Sequence, residues 1–133
     1  MTDLLGAARG AFFRALNEGA SGQIAPVFTE VPQDTQPNFY KIGMIESDPG
    51  DAKPDDMREE LLVEIIVVYR GEDRGQLLTM MEAARSDLRG KPITAPGAKL
   101  RPPRWAGSTS SDAMPDGVTY VGLLHFTLHA QPA

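Results

Sequence analysis

Residues 58–88 read REELLVEIIVVYRGEDRGQLLTMMEAARSDL, and this stretch decides the fold. Leu61, Val63, Ile65, Val67 and Tyr69 alternate along one face of a strand running from Glu60 to Tyr69. On the other face Leu62, Ile66 and Val68 are also apolar, with Glu64 between them. A strand apolar on both sides is central in its sheet or covered by a second layer, which here is a helix or a neighbouring subunit. Gly71 closes the strand. Asp73 caps the next element, with Gln76 three residues on as in a capping box. From there the period changes to that of a helix. Leu77, Met81, Ala84 and Leu88 form its stripe, Leu78 and Met80 lie beside it, and Gly90 followed by Pro92 stops it.

Upstream, Leu4, Leu5, Ala8, Phe12, Ala15 and Leu16 recur at helical spacing, with Thr2 or Asp3 as the N-cap and Gly19 as the stop. A short strand is expected at Ile24 to Phe28, then a loop around Pro32 and Pro37. A second strand is expected from Phe39 to Ser47, with Tyr40, Ile42 and Met44 on one face and Phe39, Lys41, Gly43 and Ile45 on the other. Pro49 to Met57 has the composition of an acidic loop. Downstream, Lys91 to Arg104 is a proline-rich linker with a trace of strand at Lys99 and Leu100. A short strand follows from Trp105 to Ser111. Asp116-Gly117 marks a turn, and Val118 to His129 is the last strand, with Val118, Tyr120, Leu124, Phe126 and Leu128 facing the core. These elements predict one α+β domain over residues 1–133: a mixed or antiparallel sheet of four to five strands with two helices packed on it, the Glu60 strand and the final strand forming the central pair.

Composition narrows the function. The chain has 133 residues, enough to bury roughly two thirds of its unfolded surface without staples. It has no cysteine, which excludes disulfides, thiol catalysis and cysteine-based zinc sites and suits a reducing cytoplasm. No apolar run reaches the ~20 residues of a bilayer span, and no signal peptide is evident at the N-terminus, so folding in the cytoplasm is expected. A net charge of −5 argues against gripping nucleic acid over a broad surface.

The chemistry-bearing residues do not assemble into a known motif. His125 and His129 are the only histidines; on a strand they stand about 13 Å apart at ~3.3 Å per residue, too far for one ion. The acidic run Asp48, Asp51, Asp55, Asp56, Glu59 and Glu60 departs from the EF-hand pattern, with Lys53 and Asp56 where a ligand and a glycine are needed. Gly71 and Gly75 lack the Lys-Ser/Thr of a phosphate loop, and Ser108 to Ser111 lack both the nucleophile elbow and a positioned base. Lys99, Arg101, Arg104 and Trp105 form a small basic patch that suits a phosphate backbone or, better, an exposed loop packed on a partner chain. No catalytic residue, metal site or cofactor is expected.

The joint order of elements resembles that of the tail-terminator (tail-completion) proteins of long-tailed bacteriophages and gene transfer agents. The likeness rests on the opening helix followed by Gly22-Gln23-Ile24, on Val31-Pro32, and on Pro37-Asn38-Phe39-Tyr40-Lys41-Ile42 entering the first long strand. It continues through Leu61 to Arg70 into the helix from Gly75, and ends on Asp116-Gly117-Val118 with the closing strand to Phe126. Pro102 and Pro103 depart from the family, whose corresponding segment is more strand-like. The resemblance implies a virion protein that forms a ring, usually hexameric, on the last ring of the tail tube, ends tube growth and offers a surface to head-completion proteins. It further implies partners in the major tail-tube protein and a neck protein, DNA passing through the lumen without sequence-specific binding, and no membrane. On that reading the interface draws on Asp51, Asp55, Asp56 and Met57 of the acidic loop, on Glu64, Ile66 and Arg70 of the two-sided strand, and on Arg101, Arg104 and Trp105 after the linker. The alternatives are another neck or connector protein of the same particle, a dimeric cytosolic ligand-binding domain, and an enzyme resting on His125, the hydroxyl run and Asp55.

Overall fold

The computed structural model describes residues 3–48 and 58–133. The chain runs α1 (Leu4–Glu18), α2 (Ala20–Ile24), β1 (Val27–Phe28), β2 (Phe39–Asp48), β3 (Glu59–Arg70), α3 (Arg74–Leu88), β4 (Ala98–Leu100), β5 (Arg104–Ser110) and β6 (Thr119–Pro132). The six strands form one mixed sheet in the order β1-β2-β3-β6-β4, with β5 also paired to β6 on the side away from β3. The α+β class and the central β3–β6 pair are as the sequence predicts; among the described residues the sheet is one strand larger and carries three helices.

β3 and β6 pair antiparallel without a break from Glu59↔Ala130 to Arg70↔Thr119. Their alternation puts Leu61, Val63, Ile65 and Val67 of β3, and Leu124, Phe126 and Leu128 of β6, fully inside. α1 and α3 cover this face. Phe12 of α1 meets Phe126 edge-on, with ring centroids 6.1 Å apart. Each such side chain contributes about 1.5–3 kcal/mol on leaving water, so this layer supplies most of the driving force.

The helices are delimited by local chemistry. Asp3 caps α1 by accepting from the Gly6 N–H, and Asp73 caps α3 through the Gly75 N–H. Gly90, at φ +68°, takes the left-handed conformation just past α3 that the Gly90-Pro92 pair suggests. The strand expected at Ile24–Phe28 is shorter than read: β1 holds only Val27 and Phe28, and Ile24 ends α2. What makes α2 a helix is remote. The carboxylate of Asp87, on α3, accepts from the N–H groups of Ala20 and Ser21 at 3.0 and 2.9 Å and satisfies the open N-terminus of that turn.

β2 departs from the even alternation read in the sequence. Its register with β3 shifts between Ile42 and Ile45, so that Ile45 pairs with Val63 and packs against the core, whereas Met44 is exposed. A bulge inserts an extra residue and swaps the faces beyond it. Gly43 sits at this point, under two side chains of β3. A Cβ there would meet Glu64 Oε1 at 2.9 Å and Ile66 Cδ1 at 3.0 Å, both lying over it from β3.

Candidate assembly surface

The sheet face away from the helices is built from the residues that alternate with the core. Leu62, Glu64, Ile66 and Val68 of β3 stand beside Val121, Leu123, His125 and Thr127 of β6, all half-buried. At its centre Glu64 and His125 are direct cross-strand partners, and the His125 Nε2–H donates to Glu64 Oε2 at 3.0 Å. This answers the polar interruption in the second face of β3: the Glu64 carboxylate has a hydrogen-bond partner on the neighbouring strand rather than standing alone among apolar side chains.

The two lateral edges of the sheet are the second element. β1 pairs with β2 only at Tyr40 and Lys41. Among the described residues nothing else pairs with that side of β2, so Ile42–Asp48 forms an edge. On the far side β5 pairs with β6 alone, again among the described residues. Unpaired edges are templates for strand addition.

The third element is a cleft of about 850 Å³ where β4, β5 and β6 converge, lined by Arg58, Lys99, Arg101, Arg104 and His129, with no carboxylate among its described lining residues. Backbone pairing shapes it: the Arg101 N–H donates to the His129 carbonyl at 2.9 Å, bridging β4 and β5 along β6. Arg104 reaches Glu60 at 3.5 Å with both side chains exposed, a pair that contributes well under ~1 kcal/mol.

These positions divide the interface residues read from the sequence. Glu64, Ile66 and Arg104 share the face away from the helices, and Arg101 lines the cleft. Trp105 does not join the basic patch. The register Trp105↔Phe126 turns it to the helix side, where the Arg85 guanidinium stacks over its ring at 4.9 Å and its Nε1–H donates to Ser108 Oγ at 2.8 Å. A bulge between Trp105 and Gly107, with Gly107 at φ +127°, lets β5 continue past this point. The strand after Pro102 and Pro103 therefore forms, spanning Arg104–Ser110.

Arg70 lies at the other end of β3, 3.6 Å from Asp116 of the turn before β6. There the Asp116 carboxylate accepts from the Thr119 hydroxyl at 2.5 Å and from the N–H groups of Val118 and Thr119 at 2.9 Å each. The Thr119 hydroxyl above all, with the two N–H groups and Arg70, holds its pKa down at about 2. Asp51, Asp55, Asp56 and Met57 lie outside the described residues.

The hydroxyls have structural tasks. Ser108 takes the Trp105 indole, and Ser111 Oγ accepts from the Val121 N–H at 2.9 Å. Among the described residues no group of three or more His, Asp or Glu side chains is placed to hold a metal ion, and no helix is long and apolar enough to cross a membrane. Sequence reasoning missed the inclusion of Arg58 and His129 in the cationic cleft and the pairing of Glu64 with His125. Both depend on strand register, for which no local pattern exists.

No protein-family model and no curated protein sequence matches the chain. Its fold is shared with a solved structure described as the virion of a native gene transfer agent particle. The two chains superpose with a TM-score of 0.84 at 14% sequence identity, over 98% of this chain and 99% of that one. At that identity the likeness is one of fold.

Proposed function

We propose that this protein is a structural component of a phage-like or gene-transfer-agent virion. In this reading it forms a ring, hexameric as in the tail terminators its sequence resembles, that caps the tail tube at its head-proximal end. The ring ends tube polymerisation and presents its other axial surface to the head-completion or neck protein. The observation that carries this reading is the end-to-end correspondence of fold with a chain of a gene transfer agent virion, without unmatched additions on either side. Two features of the molecule support it. The sheet has two unlike lateral edges, as head-to-tail closure of a ring requires. Among the described residues, Asp3, Asp73, Asp87, Asp116, Ser108 and Ser111 are engaged in caps, turns and pairing. The partners are other copies of the chain, the major tail-tube protein and a neck protein, with DNA passing through the lumen without sequence-specific contacts; no cofactor and no chemical step enter the function.

The test is assembly. Electron microscopy of the purified protein is expected to show annuli, and adding the protein to polymerising tube subunits is expected to fix tube length. A stable monomer or dimer that leaves tube length unchanged, alone and with tube protein, refutes the proposal. Annuli that bind a neck protein yet leave tube growth unaffected move it to another connector of the same particle.

A further inference from the structure

Two rows of paired positions that cross the sheet face away from the helices carry acidic residues at one end and basic residues at the other. In the first, Glu46 of β2 pairs with Leu62, Leu62 with Thr127, and Thr127 with Arg104 of β5. In the second, Asp48 pairs with Glu60 and Glu60 with His129, whose carbonyl takes the Arg101 N–H. Both rows begin acidic at the β2 edge and end basic at the β4–β5 edge.

The strand directions are compatible with joining these ends. β2–β3, β3–β6 and β6–β5 are each antiparallel, so β5 runs opposite to β2. Rotation about a ring axis along the strands preserves direction. It therefore brings β2 of one copy antiparallel to β5 of the next, the arrangement that continues the sheet.

We propose that β2 of each copy adds to β5 of its neighbour, and that Glu46 enters the cationic cleft formed by Lys99, Arg101 and Arg104. The occupant is a second copy of this chain, chosen by charge. Lys99, Arg101 and Arg104 line one cleft whose described lining residues include no carboxylate, and acidic residues stand at the same levels on the opposite edge, so the two ends are complementary for heterologous docking. The charges set register. A slip of two residues along the strand keeps every side chain on its face but takes Glu46 away from Arg104, whereas a slip of one sends it to the other face. This proposal rests on the ring reading above and specifies how the ring closes.

The chain has no native cysteine, so a crosslinking test is free of background. Glu46→Cys and Arg104→Cys in one chain, mildly oxidised, are expected to give a non-reducing ladder that ends at the ring number, because facing strand positions meet disulfide geometry. Arg104→Glu alone and Glu46→Arg alone are each expected to weaken ring association about tenfold, and the double reversal to recover most of it. Urea midpoints of the dissociated chains confirm that each variant folds. Rings that form normally while the cysteines stay unlinked and the two reversals add overturn the latch and leave the ring standing. Absence of rings from the unaltered protein overturns both. Retention of labelled duplex DNA by intact rings, lost on Arg101→Glu and Arg104→Glu, assigns the cleft to a polyanion and overturns the proposal.

Discussion

Tyr40 connects the edge strand to the helical layer, and its substitution by phenylalanine has a calculable, pH-dependent result. The side chain is fully buried, and its hydroxyl donates to the Met80 carbonyl of α3 at 2.8 Å. Burial, above all, pushes its pKa from 10.0 up to about 12. The folded state thus holds the tyrosine proton more tightly than the unfolded chain does. The corresponding stability is fully present below pH ~10 and is lost as pH rises towards ~12. At ~1.36 kcal/mol per unit the loss is about 1.4 kcal/mol by pH ~11 and up to about 2.7 kcal/mol above pH ~12. Tyr40→Phe keeps the ring and its packing but removes the hydrogen bond, a cost of about 1 kcal/mol at pH ~7. The two stability curves should therefore cross near pH ~11: the unaltered protein is more stable at neutral pH, and the phenylalanine variant above the crossing. Urea unfolding of both proteins at pH 7, 10 and 11.5 measures this, with Tyr69 and Tyr120 common to both and cancelling in the difference. A stability difference that stays constant over the range refutes the argument, since it means that the Tyr40 hydroxyl does not feel the desolvation of the folded core.

Two further outcomes follow from the same kind of accounting. Asp87→Ala removes both acceptors of the α2 N-terminus and should cost about 2 kcal/mol in urea unfolding, with increased amide exchange at Ala20 and Ser21; an unchanged midpoint refutes the assigned cap. Asp116, with its pKa held at about 2, contributes to its turn fully above pH ~4 and loses that contribution as pH falls towards ~2; amide exchange at Val118 and Thr119 should rise over that window in the unaltered protein and be flat in Asp116→Asn.

What the sequence discloses is what repeats locally. β3, β6, α1 and α3 have side chains spaced at the period of their element over ten or more residues, and each forms where that period places it. The bulge in β2 is invisible to such reasoning, because Phe39 to Ser47 alternates acceptably without it and only the pairing with β3 reveals it. α2 is likewise beyond local reading, since its cap comes from a residue 66 positions away in the chain. The same limit applies to the assembly surface. The basic residues near Arg101 are apparent as a group, yet the register with β6 turns Trp105 to the opposite face from Arg104 and adds His129 to the group. A patch read along a chain becomes a different patch when strands far apart in sequence define its walls.

The place of β6 bears on how the protein is made. This strand touches β3 along one flank and both β4 and β5 along the other, yet it is the last of the six to leave the ribosome. Until residues 119–132 emerge, the long apolar flank of β3 has nothing to zip onto, and the nascent polypeptide is obliged to wait. Crowded polysomes translating this message would hold many such half-built sheets side by side. Chaperone occupancy during translation, rather than the stability of the finished fold, would then govern the yield of usable subunits.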